Sequence, residues 1–442
     1  MRDILITVIV FGSLPFILRR PQVGVMMWVW LSVMNPHRLT WGFAYNFNFA
    51  AVVAIVTLTS ALMSKDLKGP SLNLPTLALI AFAGWISVTT VYALHPEDAF
   101  DIYKTVMKTL LMSLLIPTLF HKKEDVRWLL WVIILSIAYY GTKGGVFTLV
   151  TGGINRVYGP DGSYVADNNA IAVAIVMVVP LLRYLQVTAR NRRVGLLLGL
   201  MMLLCCVAVL GTYSRGALLA VGAMLAFLWW KGRHKFSFLL VAVCAIPLAL
   251  SVMPEQWYGR METIVDYQQD SSANMRLNSW GTMWNLAKSR PFVGGGFEVA
   301  TPEVYAAYAP DPMFPPQVAH SIYFQALGEH GFVGLGLYLF LLIAFWITAG
   351  RIIRSTKGRA ELRWAGDLSL MMQVSLIGFA VGGAFLSLVN FDVPYYLMAT
   401  LIATLALVER QLKDPSEVAV ERSSAPVDGP QATETHSVPI RS

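Results

Sequence analysis

The chain has 442 residues, of which 56% are hydrophobic and 14% charged, and its mean hydropathy is +0.57. A soluble domain carries about 25% charged residues, so this composition excludes a soluble globular enzyme and indicates an all-α polytopic membrane protein. The net charge of +8 does not point to a nucleic-acid partner, because Lys and Arg sit in short loops between apolar runs, as the positive-inside rule expects.

In chain order, the first apolar run spans Ile4 to Met34 and is interrupted by Arg19-Arg20-Pro21. Runs long enough to cross a hydrocarbon core of about 30 Å follow at 48–64, 73–92, 104–120, 127–150, 168–187, 194–211, 214–231, 236–253, 320–350, 366–389 and 393–410. The opening run reads as one broken span or as two short ones, and counting it once gives twelve spans. Cys205, Cys206 and Cys244 all lie inside these runs and read as small packing residues, with no disulfide or metal spacing.

Orientation follows from the basic loops. Lys65 and Lys68, His121-Lys122-Lys123, Arg183 to Arg193, Lys231 to Lys235 and Arg351 to Arg363 fall on alternate loops, so they share the cytoplasmic side, with both termini. Loops 35–47, 93–103, 151–167, 211–214, 254–319 and 390–392 then face the periplasm. The expected divisions are an N-terminal transmembrane bundle at 1–253, a large periplasmic loop at 254–319 between the ninth and tenth spans, and C-terminal helices at 320–412. The tail 413–442 is rich in Pro, Ser, Glu, Thr and Val without helical period and reads as disordered and cytoplasmic.

The periplasmic insert is the polar exception in an apolar chain. It carries Arg260, Asp266, Asp270, Arg276, Trp280 and Trp284, then Gly294-Gly295-Gly296, and a proline-broken loop expected to be mobile before His320. Other charges gather at the same side. Arg156 lies in a turn-forming loop, and Asp167-Asn168 opens the next span as a helix cap or as part of a site. Arg215, in Thr212-Tyr213-Ser214-Arg215-Gly216-Ala217, joins two apolar runs with almost no loop, where an arginine is costly unless it snorkels or binds an anion. Lys104 and Lys108 are spaced i, i+4 on one helix face and either snorkel or add to the same positive site. Arginine suits phosphate because its planar fork gives two parallel charge-assisted hydrogen bonds. His320 opens a span beside Ser321, Gln325 and Glu329, a junction where a histidine can cap a helix or act as a general base. No Asp-x-Asp pair or Cys/His set with metal spacing occurs, so neither a metal nor a cofactor is expected.

The run His320-Ser321-x-x-x-Gln325-x-x-x-Glu329-x-Gly331-x-x-Gly334 resembles the signature of the O-antigen ligase and polymerase superfamily. Ser214-Arg215-Gly216-Ala217 resembles a second motif of that family, and Arg276-x-x-x-Trp280 with Pro291-x-x-Gly294-x-Gly296 a third. The resemblance covers about residues 150–340, while the N-terminal half is similar to a subgroup described as O-glycosylation ligases linked to exosortase systems. It implies a glycosyltransferase of the C type in the bacterial inner membrane, metal-independent and with its active site facing the periplasm. Such an enzyme transfers a glycan from undecaprenyl pyrophosphate to a hydroxyl, in a ligase that of a lipid A-core sugar, giving lipopolysaccharide. Carried onto this chain, Arg215 and Arg276 would hold the pyrophosphate, with Arg156, Lys108 and Lys104 as additions, and His320 would engage the acceptor. Asp167, Asn168, Ser214, Ser321, Gln325 and Glu329 would support them. An O-antigen polymerase or a protein O-oligosaccharyltransferase would share the donor site. A transporter or flippase of another class would show charges at the bilayer midplane and internal repeats, and neither is visible here.

Overall fold

The computed structural model describes residues 1–69, 72–232, 251, 253–262 and 271–413. Among them all regular secondary structure is helical, and eight helical stretches are long and apolar enough to cross a membrane. Two further apolar helices, Pro21–Val33 and Phe49–Met63, are shorter. Most of the expected span at 236–253, the residues Asp266 and Asp270, and the tail beyond Lys413 lie outside the described residues.

The opening apolar run folds as two helices, α1 (Arg2–Arg19) and α2 (Pro21–Val33). Pro21 cannot continue α1, because it has no N–H to donate, yet at the first position of α2 that N–H would have no partner anyway. The two helices double back. Arg2 Nη1 donates to Leu39 O at 3.1 Å, and Asp3 Oδ1 accepts from Ala44 N–H at 3.2 Å, so the chain start lies beside the segment that follows α2. Arg20, at the turn, pairs with Asp125 at 3.3 Å. The opening run therefore takes the second of its two readings: as a hairpin, it sends the start of α1 to the end opposite its Arg19-Arg20 turn. That turn joins the end where Gln22 binds Asp66 and Leu119 O, and where His121 meets Asp66 O. The shared side expected for both termini therefore does not follow.

The remaining helices are α3 (Phe49–Met63), α4 (Leu74–Val91), α5 (Pro96–Leu119), α6 (Lys123–Val150), α7 (Asn168–Val187), α8 (Arg192–Gly211) and α9 (Arg215–Lys231). After the insert come α13 (Ile322–Ser355), α14 (Arg363–Gly382) and α15 (Asp392–Lys413). Helices α7 and α15, with 78% and 83% of their spanning windows buried, form the centre, whereas α8, at 28%, is peripheral. A helix apolar on every face suits either position in a bilayer. Two polar pairs tie the centre together, as a dry interior favours: Trp28 Nε1 donates to the Tyr396 hydroxyl at 2.9 Å, and Thr109 Oγ1 donates to Asp392 Oδ1 at 3.0 Å.

The insert between α9 and α13 is largely helical, as α10 (Glu255–Glu262), α11 (Ser271–Ser289) and α12 (Pro302–Tyr308). Helix α11 lies against the first turns of α13. The Trp280 ring stacks on Phe324 at 5.1 Å, its Nε1 donates to Ala319 O at 2.9 Å, and Trp284 meets Phe332 edge-on at 5.7 Å. Each such aromatic pair contributes about 0.5–1.5 kcal/mol beyond its buried area. The loop expected to be mobile is tied down. Asn278 bonds both the carbonyl and the N–H of Asp311, at 3.0 and 2.9 Å, and the Tyr305 hydroxyl donates to Gln317 O at 2.8 Å.

Helix α13 breaks at Gly331, whose φ of 68° and ψ of −172° are not helical. The glycine run closes the break. The N–H groups of Gly295 and Gly296 donate to Gly328 O and Glu329 O, both at 2.8 Å, and Phe332 N–H donates to Pro291 O. A Cβ on Gly331 would stand 2.3 Å from Phe292 O, and one on Gly294 2.5 Å from Gly328 O. Those obstacles are backbone atoms, so only glycine lets the two chains approach this closely.

Candidate active site

The site lies at the end of the bundle where α8 turns into α9. Helix α8 ends at Gly211, and Tyr213 takes a left-handed φ of 60° to reverse the chain. Ser214 then caps α9, its Oγ accepting from Ala217 N–H at 3.3 Å, which makes Arg215 the first helical residue. A cation is disfavoured by the dipole at that position, so Arg215 is not there to stabilise the helix. Asn168, 5% exposed, fastens the start of α7 to this turn by donating to Thr212 O at 2.7 Å. Asp167 caps α7, accepting from the N–H groups of Asn169 and Ala170.

Helix α10 docks on the same turn. Trp257 Nε1 donates at 3.1 Å to Leu210 O, a carbonyl that also accepts from the Tyr213 N–H, and Arg260 Nε donates to Tyr213 O at 3.3 Å. Helix α11 supplies Arg276. The result is a pocket of about 10 Å³ lined by Asn169, Ser214, Arg215, Gly216, Arg260, Arg276, Phe385 and Leu386. Three guanidinium-bearing side chains from three helices meet there, each half-buried.

His320 follows Ala319 at the entrance to α13. Its φ of 46° lies in the left-handed region, and its N–H donates to Ser387 Oγ at 2.8 Å. Backbone of this kind costs on the order of 1–3 kcal/mol and persists where surrounding contacts enforce it. Burial, and then the charge of Arg276, hold the imidazole pKa below its ordinary value, with Asp167 acting weakly the other way. The histidine is thus neutral near pH 7 and electrostatically linked to the arginine pocket. Ser321 is buried at the helix start without a side-chain cap bond.

On the other side of Ala319 and Ser387 lies a second cavity, of about 190 Å³, lined by residues including Tyr164, Glu298, Gln325, Glu329, Ser387 and Asn390. Gln325 Nε2 donates to Glu329 Oε1 at 3.0 Å, while its Oε1 accepts from Val389 N–H at 3.1 Å.

Residues 200–339 match the family described as O-antigen ligase. This part of the chain belongs to the O-antigen ligase superfamily. The matched stretch contains Arg215, Arg260, Arg276, His320, Gln325, Glu329 and the glycines of the α13 break. Residues 1–190 match a family of unknown function (DUF5935), and no curated protein matches the chain.

Not every expected site residue joins this superfamily core. Arg156 is exposed, stands 5.5 Å from the Tyr213 ring centroid and does not line the pocket. Lys104 pairs with Asp101 at 2.6 Å and lies over the Phe100 ring, well exposed. Lys108 faces an apolar groove between α3, α4 and α5 that also includes Lys68 and Leu111. Neither lysine lines the arginine pocket. Conversely, Arg260, Ser387 and Asn390 enter the site from positions with no motif around them. Arg260 carried a sequence signal, an arginine in the same insert as Arg276, whereas the role of Ser387 depends on a turn that only the fold brings to His320.

Proposed function

We propose that the chain is a membrane-embedded glycosyltransferase that moves a glycan from undecaprenyl pyrophosphate to the hydroxyl of a lipid A-core sugar at the periplasmic face. The observation that carries this reading is the convergence of Arg215, Arg260 and Arg276 beside a half-buried His320 whose pKa is held below its ordinary value. Superfamily membership supports ligase- or polymerase-type transfer in general.

In this mechanism the acceptor oxygen attacks the anomeric carbon from the face opposite the leaving group, so the configuration inverts. The bond from that carbon to the pyrophosphate oxygen breaks, and the arginines receive the developing negative charge. Preformed charge of this kind is worth roughly 3–4 kcal/mol for each donor removed. The acceptor proton passes to the His320 imidazole. A histidine beside bound pyrophosphate would ordinarily be drawn toward imidazolium; its burial and Arg276 oppose that and leave it able to accept a proton. The basic loops that meet at the opposite end of the bundle support a periplasmic location for the site.

The test is transfer in membranes loaded with an undecaprenyl-linked glycan and offered lipid A-core or a protein acceptor. Product on lipid A-core is expected, and His320→Ala should lower its rate by about 10²–10⁴-fold while the protein still inserts and binds donor. Product on protein alone would overturn the ligase reading, and full activity of the variant would remove His320 from the chemistry.

A further inference from the structure

The peptide unit that joins Ala319 to His320 is gripped at both of its polar groups. Its carbonyl oxygen, Ala319 O, accepts from Trp280 Nε1 at 2.9 Å, and its N–H, on His320, donates to Ser387 Oγ at 2.8 Å. Both gripping elements also line the arginine pocket. Trp280 stands one turn beyond Arg276 on α11, and Ser387 follows Phe385 and Leu386 in the turn between α14 and α15. A peptide is planar, so bonds on its two opposite edges fix the orientation of the whole unit.

The chain beyond His320 is fixed separately. The Tyr323 hydroxyl donates to Ala380 O at 2.9 Å, and Gln325 Oε1 accepts from Val389 N–H at 3.1 Å, so the first turn of α13 is bound to α14 and to the same connecting turn. The Tyr395 hydroxyl, on α15, donates to Val389 O at 2.6 Å and holds that turn from its other side. Ile322 is buried against Gly383, where a Cβ would stand 2.9 Å from Ile322 Cδ1. The His320 φ of 46° is the rotation left between these two fixed bodies, the peptide plane and α13. A residue with a Cβ relaxes out of the left-handed region when nothing opposes it. Relaxation here would swing the Cα–Cβ bond of His320, and the imidazole with it.

We infer that Ser387 and Trp280 are positioning residues: they clamp the Ala319–His320 peptide and set the imidazole in register with the arginine pocket. The inference rests on the proposed transfer, in which His320 takes the acceptor proton, and adds how that base is aimed. Each arm of the clamp comes from an element that carries pocket residues, so a shift of either element moves the histidine and the pocket together. Ser387 is the arm that can be removed most cleanly. It lies 67 residues from His320 in the chain, and its bond is lost by deleting one oxygen atom. Trp280 also stacks on Phe324, so its indole N–H must be removed while a ring is kept.

The test uses the full-length protein in lipid nanodiscs. Modification of its histidines by diethyl pyrocarbonate, followed by mass spectrometry, reads the His320 imidazole without any substrate. In Ser387→Ala the modification rate of His320 should rise by about threefold or more while the other histidines keep their parental rates; a His320 rate that does not rise overturns the clamp. Transfer to lipid A-core is measured in parallel, and unchanged farnesyl pyrophosphate binding reports that each variant folds. Ser387→Ala should lower kcat by about 10–100-fold, since misplacing a reacting group by about 1 Å costs up to about 10²-fold, and should leave KM for the lipid-linked donor within about threefold. Ser387→Thr, which keeps the hydroxyl, should restore kcat. Trp280→Phe, which keeps the stacked ring and loses Nε1, should lower kcat in the same way and tests the clamp independently of the serine. In a His320→Ala background, Ser387→Ala should cost no further activity, because the clamp acts only through the imidazole. A further tenfold loss there, or parental kcat in both Ser387→Ala and Trp280→Phe, overturns the inference. Failure of the transfer reading looks different: full activity of His320→Ala removes the base, whatever the modification rates show.

Discussion

Two sets of cations suggested a single positive site, and the fold treats them differently. Arg215, Arg260 and Arg276 come from three helices and converge on one pocket, held by contacts that fix each helix end. Lys104 and Lys108 sit on one face of α5, where the first is engaged by its own helix neighbour and the second lies along an apolar groove. Spacing on a helix brings two charges to one face, but only tertiary packing brings charges from separate helices to one point. The planar guanidinium, weakly hydrated and able to make two parallel bonds, suits such a buried pocket, whereas the strongly hydrated ammonium stays at the edge.

The sharpest way to break this contrast is to remove one arginine. Arg215→Ala and Arg276→Ala should each lower kcat/KM for transfer by about 10²–10³, the cost of deleting one preformed donor to a developing anion. Lysine at either position should recover only part of the loss, because it keeps the charge without the fork. Activity within about threefold of the parent in Arg215→Ala would make that arginine structural.

The arginines of the pocket were legible because arginine beside an apolar run on the unfavoured side has few structural reasons to be there. The glycine signature was legible as a pattern, but its cause was not: the left-handed break at Gly331 and the threading of Gly294 to Gly296 against it are contacts across some thirty-five residues of chain. The helical hairpin at the start was left open, because Arg19-Arg20-Pro21 reads equally as an interruption or a turn until Arg2 and Asp3 are seen against Leu39 and Ala44. The second cavity was not legible at all, because Glu298 and Asn390, which line it, stand in no recognisable motif.

The coupling of His320 to the arginine pocket gives a smaller, pH-dependent effect. A base must be neutral, so activity falls as pH drops through the folded-state pKa of His320. Burial and Arg276 place that pKa below the ordinary 6.5, so the acid limb of kcat/KM should lie below pH 6.5. Arg276→Gln removes a charge that depresses the pKa, so the limb should move to higher pH. Asp167→Asn removes a charge that raises it while keeping a side chain able to cap α7, so the limb should move to lower pH. A limb that stays fixed in both variants would show that another group is being titrated.

The smallest effects should come from the lysines. Lys104 is tied to Asp101 in an exposed i, i+3 pair, and pairs of that kind are worth about 0–1 kcal/mol. Lys108 is exposed along its groove and needs only an apolar stem there. Lys104→Ala and Lys108→Met should therefore leave farnesyl pyrophosphate affinity and the rate of glycan transfer within about twofold of the parent. A tenfold loss of pyrophosphate affinity in Lys108→Met would extend the donor site from the arginine pocket down the α5 groove, and the division between the two sets of cations would fall.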